Sequence, residues 1–287
     1  MPGVKKLAQE SETQSKPKYI HGHMWGGVGI LVGKAKGFSC VPLSLKIHDG
    51  LQAVSNWNGT APVSHVIQMI RDGVCAAQGL KRQALFLLDR YFLSVPALLE
   101  LKQQNAANQY KVDIITKLKK STIAYEPAPV RLPGQRGRSR KKGAKVKLSE
   151  LFETLSAQFK SQSLDLYDRK YNLRYLCVDL LWGQGLYQKL RFVLVEYDGA
   201  QSILASTDLT LSPLSIIQLY SYRFRIEHTF RELKQEIGGF AYHFWTKALP
   251  KLSAWVSQLR SNGLNSTRTR PEPKRRFISS KTSRRFY

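Results

Sequence analysis

The chain opens on a polar stretch to about Pro17, and hydrophobic patterning begins at Tyr19. The segments YIHGHMWGGVGILVG and FSCVPLSLKIH alternate as strands do, and the glycine- and lysine-rich GKAKG between them predicts a connecting turn. Val63, Val66, Ile67, Ile70 and Val74 then recur at helical spacing in VSHVIQMIRDGVCAAQ. A short apolar run from Ala84 to Leu88, stopped by Asp89, reads as a buried parallel strand with a carboxylate at its C-terminal end. VPALLELKQQNAA predicts a helix and YKVDIITKLKKS a strand. Strand, helix, strand in this order predicts an α/β layer with a partly parallel sheet.

After Thr122 the texture breaks. YEPAPVRLPGQRGRSRKKGAKVK cannot bury a core of its own, and it places eight basic residues between Arg131 and Lys147. KLSELFETLSAQF predicts a short amphipathic helix. YLCVDLLWG, KLRFVLVEYD and SILASTDLTLS predict strands, the last two joined by a hairpin turn at YDGAQ. One long helix is expected from about Pro213 to Gly238, with Ser212 as its cap and Gly238–Gly239 as its end. Beyond residue 247 the periodicity fades into serine, arginine and lysine, which predicts a disordered, basic tail.

Composition sharpens this picture. Forty-three per cent of the 287 residues are hydrophobic, so a packed core is feasible. The formal net charge is +25, a field that favours polyanions, nucleic acid before an anionic membrane. Cys40, Cys75 and Cys177 are widely spaced and predict reduced thiols rather than a disulfide framework. The first residues lack the apolar run of a signal peptide, and no stretch approaches the roughly 18 apolar residues of a membrane span. A soluble, intracellular protein without membrane association is expected. His21 and His23 could pair on one strand face, but no further ligand at metal spacing accompanies them. Trp182 and Trp245 are expected to pack rather than to stack on bases.

The expected long helix carries the most informative pattern, YSYRFRIEHTFRELKQEIGGF. At about 100° per residue, Tyr220, Arg223, Glu227 and Lys234 fall within an arc of about 60°. Leu219, Ile226, Phe230, Leu233 and Ile237 form an adjoining apolar stripe, while Arg225, Thr229, Glu232 and Glu236 take the solvent side. One carboxylate flanked by two cations and a phenol could hold a divalent ion and phosphate oxygens. By spacing alone, Arg223 and Glu227 could equally be an ordinary ion pair one helical turn apart.

Tyr220, Arg223, Glu227 and Lys234 match in identity and spacing the helix signature of a large branch of bacterial insertion-sequence transposases of the DDE type. The flanking STDL and GGFAYHFW also resemble that family, and the resemblance covers roughly residues 3–245. It implies a ribonuclease-H-like mixed α/β sheet with flanking helices, interrupted by a strand-rich insertion. The core would begin in residues 1–104, the insertion with its basic loop 131–147 would occupy 105–210, the helix of Glu227 would fill 211–247, and 248–287 would be the tail.

The resemblance further implies Mg²⁺ or Mn²⁺ held by carboxylates, with Asp89 and Glu227 catalytic and metal-binding. Tyr220, Arg223 and Lys234 would bind DNA, and Arg136 and Arg138 would follow its backbone. Partners would be the element's terminal inverted repeats and target DNA, a homodimer on DNA being the assembly this implies, in the bacterial cytoplasm at the nucleoid. The family's first catalytic Asp has no evident counterpart. No Asp precedes Asp49, which reads as a turn residue in IHDG. The chain is thus expected to lack the first core strand and one metal ligand, and a frame shift near residue 248 would explain its divergent end. The implied function is DNA cleavage and strand transfer, impaired in this copy. The competing expectation is a noncatalytic DNA-binding fragment that interferes with an intact transposase. An unrelated ribonuclease-H-like nuclease is disfavoured by the helix signature.

Overall fold

The computed structural model describes residues 5–8, 19–22, 25–34, 37–47, 64–130, 137–167 and 169–236. The segments Lys5–Ala8 (β1) and Tyr19–Gly22 (β2) pair antiparallel. Trp25–Val32 (β3) and Ser39–Ile47 (β4) form the expected hairpin, with a register shift between Val28 and Gly29 opposite Pro42. Proline lacks a ladder N–H, so a bulge there is its natural accommodation.

His65–Gly79 (α1) forms where the apolar spacing required it, burying Val66, Met69, Ile70, Val74 and Ala77 along one face. Ala84–Leu88 (β5) and Val112–Lys117 (β6) run parallel, Ala84 beside Val112 and Leu88 beside Thr116. Val95–Ala107 (α2) makes the crossover. Ser94 caps it by accepting from the Ala97 N–H at 3.3 Å, and Pro96 fits its first turn because the missing N–H has no helical partner there. Asn105 locks this helix to the strand, donating to the Val112 carbonyl at 2.8 Å and accepting from the Val112 N–H at 2.9 Å.

The sheet runs past residue 105 without a break. Its order is β5, β6, then Ala200–Ser206 (β12), Gln188–Tyr197 (β11), Arg169–Trp182 (β10), Ile123–Tyr125 (β7) and Lys145–Lys147 (β8), with Lys160–Leu166 (β9) also paired to β10. Alternation along β11 and β12 sends Leu190, Phe192, Leu194 and Ile203 to one apolar cluster and Val193, Val195 and Leu204 to another. The first face is covered by Leu148, Phe152 and Phe159, around Leu151–Thr154 (α3). Trp182 packs against this cluster, as expected of it. The second face receives Ile216 and Ile217 of Pro213–Ser221 (α4). This is a ribonuclease-H-like mixed α/β sheet with flanking helices and an added strand-rich region. Among the described residues no helix is long and apolar enough to cross a membrane.

Three local expectations change. KLSELFETLSAQF gives a single α turn between two 3₁₀ turns, because Leu155 leaves the helical region at φ −113°, ψ 20°. Lys160–Leu166 is a strand, hydrogen-bonded along its length to β10 from Arg169 to Tyr175. The expected long helix is interrupted by a 3₁₀ turn at Tyr222–Phe224 and resumes as Arg225–Gln235 (α5). Thr229 is also not on a solvent face: its hydroxyl donates to the Cys40 carbonyl of β4 at 2.7 Å. His23, Asp49, Arg136, Ile237, Trp245 and the tail 248–287 lie outside the described residues, as does the side chain of His21.

Candidate active site

Asp89 follows the last residue of β5. Its carboxylate caps the 3₁₀ turn Arg90–Phe92, accepting from the Arg90 N–H at 2.7 Å, while its carbonyl accepts from the Thr116 hydroxyl at 3.0 Å. The acid is exposed at the C-terminal end of a parallel strand, the end at which open α/β sheets gather ligands. Capping and ligand binding are compatible here, because a carboxylate offers about four acceptor positions and the cap uses one.

β5 packs against the turn Tyr222–Phe224. That turn carries Arg223, whose Nη2 donates to Glu227 Oε1 at 2.6 Å. The side chains are 20% and 34% exposed, so Arg223 is largely buried while Glu227 keeps a third of its surface open. The Arg223 guanidinium also lies 5.9 Å from the centre of the Tyr220 ring. Burial opposes the charge on Arg223, but Tyr220, Glu227 and Asp89 outweigh it and raise its pKa. The Tyr220 phenol is pushed up to about 12, chiefly by burial, with the charge of Asp89 adding to the effect and Arg223 opposing it. Asp89, Tyr220, Arg223 and Glu227 therefore share one electrostatic neighbourhood.

Tyr167 joins them from the turn between β9 and β10. Its backbone is left-handed at φ 52°, its side chain is half exposed, and its ring meets Phe224 edge-on at 6.4 Å. Phe224 in turn meets His228 at 4.9 Å. Burial and Tyr197 raise the Tyr167 phenol, which also feels Arg223 and Glu227. No sequence expectation named Tyr167. The available signal was a Tyr-Asp pair between SQSLDL and RKYNL, a two-residue turn missed because the first of those strands was missed. Lys234 lies on α5, but its side chain, like all of Arg136, falls outside the described residues.

Arg138 is exposed, near the likewise exposed Arg140 and Lys141. The base of this basic arm is firmly held. β7 and β8 pair from Ile123–Lys147 to Tyr125–Lys145, and the Glu126 N–H donates to the Ala144 carbonyl at 2.9 Å. The Lys142 ammonium sits 3.9 Å above the Tyr125 ring and 5.1 Å from that of Tyr187.

Among the described residues no group of three or more His, Cys, Asp or Glu could hold a metal ion. Asp89 and Glu227 still suit Mg²⁺, which takes one or two carboxylates and completes its shell with substrate phosphates and water. A family model described as "Transposase DDE domain" matches residues 60–244. No curated protein and no solved structure matches the chain.

Proposed function

The chain belongs to the transposase DDE domain family, and from that premise we propose that it cuts and joins DNA strands at the ends of an insertion sequence with the help of Mg²⁺ or Mn²⁺. The observation that carries this reading is that β5, which ends beside Asp89, packs against the turn bearing Arg223, whose guanidinium holds Glu227 at 2.6 Å. Asp89 and Glu227 would hold the ion. Bound there, it would polarise a phosphodiester and activate the attacking water or 3′ hydroxyl.

The remaining steps belong to the protein. Arg223 presents a planar fork of donors that matches phosphate oxygens. Tyr220, kept protonated by burial, donates a hydrogen bond to the same group. Lys234 adds a point charge. Arg136 and Arg138 hold the backbone of the terminal inverted repeat or of the target DNA, through contacts that fix position without reading sequence. Two copies would bridge the DNA ends, in the bacterial cytoplasm at the nucleoid. With two evident carboxylates, cleavage is expected to be slow.

A second reading is a noncatalytic DNA-binding chain that interferes with an intact transposase. It is favoured by the pairing of Glu227 with Arg223 at 2.6 Å, which sets a resident positive charge beside the carboxylate that would hold the ion. Supercoiled plasmid bearing the element's ends, incubated with Mg²⁺ and the full chain, separates the two. The proposal expects weak nicking that depends on those ends and disappears in Asp89→Ala and Glu227→Gln. DNA binding with no nicking under any condition supports the second reading. Nicking that survives both substitutions overturns the site assignment.

A further inference from the structure

Arg223 is the cation around which the two acids are arranged. It donates to Glu227 at 2.6 Å, lies 5.9 Å from the centre of the Tyr220 ring, and carries a charge stabilised by Asp89 as well. An exposed pair one helical turn apart contributes little and exchanges freely with water. This one is different. The Arg223 side chain is four-fifths buried, and the turn that carries it packs against β5, the strand that ends beside Asp89. A divalent ion arriving at the same acids meets a resident positive charge and a carboxylate oxygen already in use.

Phosphate changes the competition. A DNA phosphodiester also accepts a bidentate guanidinium, and it arrives within the dense run of negative charge along a duplex. Arg223 also has a flexible stem, so it can change partner without any movement of the helix. We propose that Arg223 is an exchangeable counter-ion: a DNA phosphate draws it off Glu227, and the freed carboxylate then accepts the divalent ion, so that DNA and metal bind cooperatively. The inference rests on the reading of Asp89 and Glu227 as metal ligands. It adds that the DNA-free protein guards those ligands with a cation of its own. By linkage, the ion must strengthen DNA binding by the same factor.

Mn²⁺ titration of the full chain, followed by the electron paramagnetic resonance signal of free Mn²⁺, tests this directly. It is run without DNA and with a saturating duplex whose own Mn²⁺ uptake is subtracted. Wild type is expected to bind Mn²⁺ at least roughly fivefold more tightly with duplex, the lower end of ordinary coupling. Arg223→Gln is expected to bind Mn²⁺ more tightly than wild type without DNA, and to gain less from DNA than wild type does, since only phosphate ligation of the ion then remains. If Arg223→Gln does not fold, Arg223→Met, which keeps the apolar stem without the charge, takes its place in the same comparison. Equal wild-type affinity in both states, with Glu227→Gln still weakening it, overturns the exchange and leaves the metal reading standing. Mn²⁺ affinity untouched by Glu227→Gln in both states overturns the metal reading itself.

Discussion

Arg71 of α1 closes a two-pronged ion pair on Glu100 of α2, at 2.7 and 3.2 Å, and Glu100 is 7% exposed while Arg71 is 45% exposed. Gln104 donates a third hydrogen bond to the same carboxylate at 2.8 Å. The Arg71 hydrogen bond holds Glu100 below the ordinary carboxylate range, against its burial. A depressed carboxylate contributes stability that is present above the unfolded value of about 4.3 and is lost as pH falls through the folded one. Arg71→Ala strands the buried charge and is expected to cost about 1–3 kcal/mol at pH 7, at the low end for a broken buried pair because water reaches the Arg71 side. Urea midpoints measured from pH 7 to pH 3 should show the gap between wild type and variant closing in acid. A gap that stays constant would mean that Glu100 remains charged or that the pair contributes nothing.

Gly73 and Phe86 set the distance between α1 and β5. A Cβ at Gly73 would run into the Phe86 ring, whereas one at Gly79, in the same helix, would meet nothing. Gly73→Ala is expected to destabilise by about 1–2 kcal/mol, because overpacking outweighs the helix-propensity gain of about 1 kcal/mol. Gly79→Ala gains propensity without the clash and should be neutral or stabilising. Equilibrium unfolding of both variants checks the contrast. Equal effects would show that the helix shifts to relieve the contact.

The basic arm should reveal itself through salt. If Arg138, Arg140 and Lys141 neutralise phosphates, replacing all three with alanine should flatten the plot of log affinity against log salt by about 0.9 for each phosphate no longer neutralised. Duplexes of unrelated sequence should be affected alike, since such interactions carry no sequence information. Fluorescence anisotropy across a salt series measures both. An unchanged slope would remove the arm from the DNA interface.

Much of this architecture was legible in the order of residues. The spacing of Val66, Ile70 and Val74 marked a helix, and the run from Ala84 to Leu88 ending in Asp89 marked a parallel strand, though one that is half-buried because it stands at the end of the sheet order. Both signals are local and strong. The strand Lys160–Leu166 escaped because KSQSLDL has few β-branched or aromatic residues, and its pairing is fixed by β10 rather than by propensity. The 3₁₀ turn at Tyr222–Phe224 was equally invisible, since every residue in it tolerates an α-helix. Its position follows from contact with β5. The four-residue signature identified Tyr220, Arg223 and Glu227 because helical periodicity survives one tight turn nearly intact. Tyr167 reaches the same place through tertiary structure alone, and no helical or strand period could have announced it.

The hydrogen bond from Thr229 to the Cys40 carbonyl joins residues 189 positions apart. Its consequence concerns time rather than geometry. A nascent chain that has emerged as far as β12 already holds Asp89 and every strand of the large sheet, yet it has no Glu227 to bring beside it. The last helix must be made, and must find a hairpin synthesised long before, and closing so long a loop slows folding. Any capacity to cut DNA is therefore withheld until synthesis has passed α5. If Asp89 and Glu227 form the proposed pair, the chain's own topology keeps them apart until the last helix has been made.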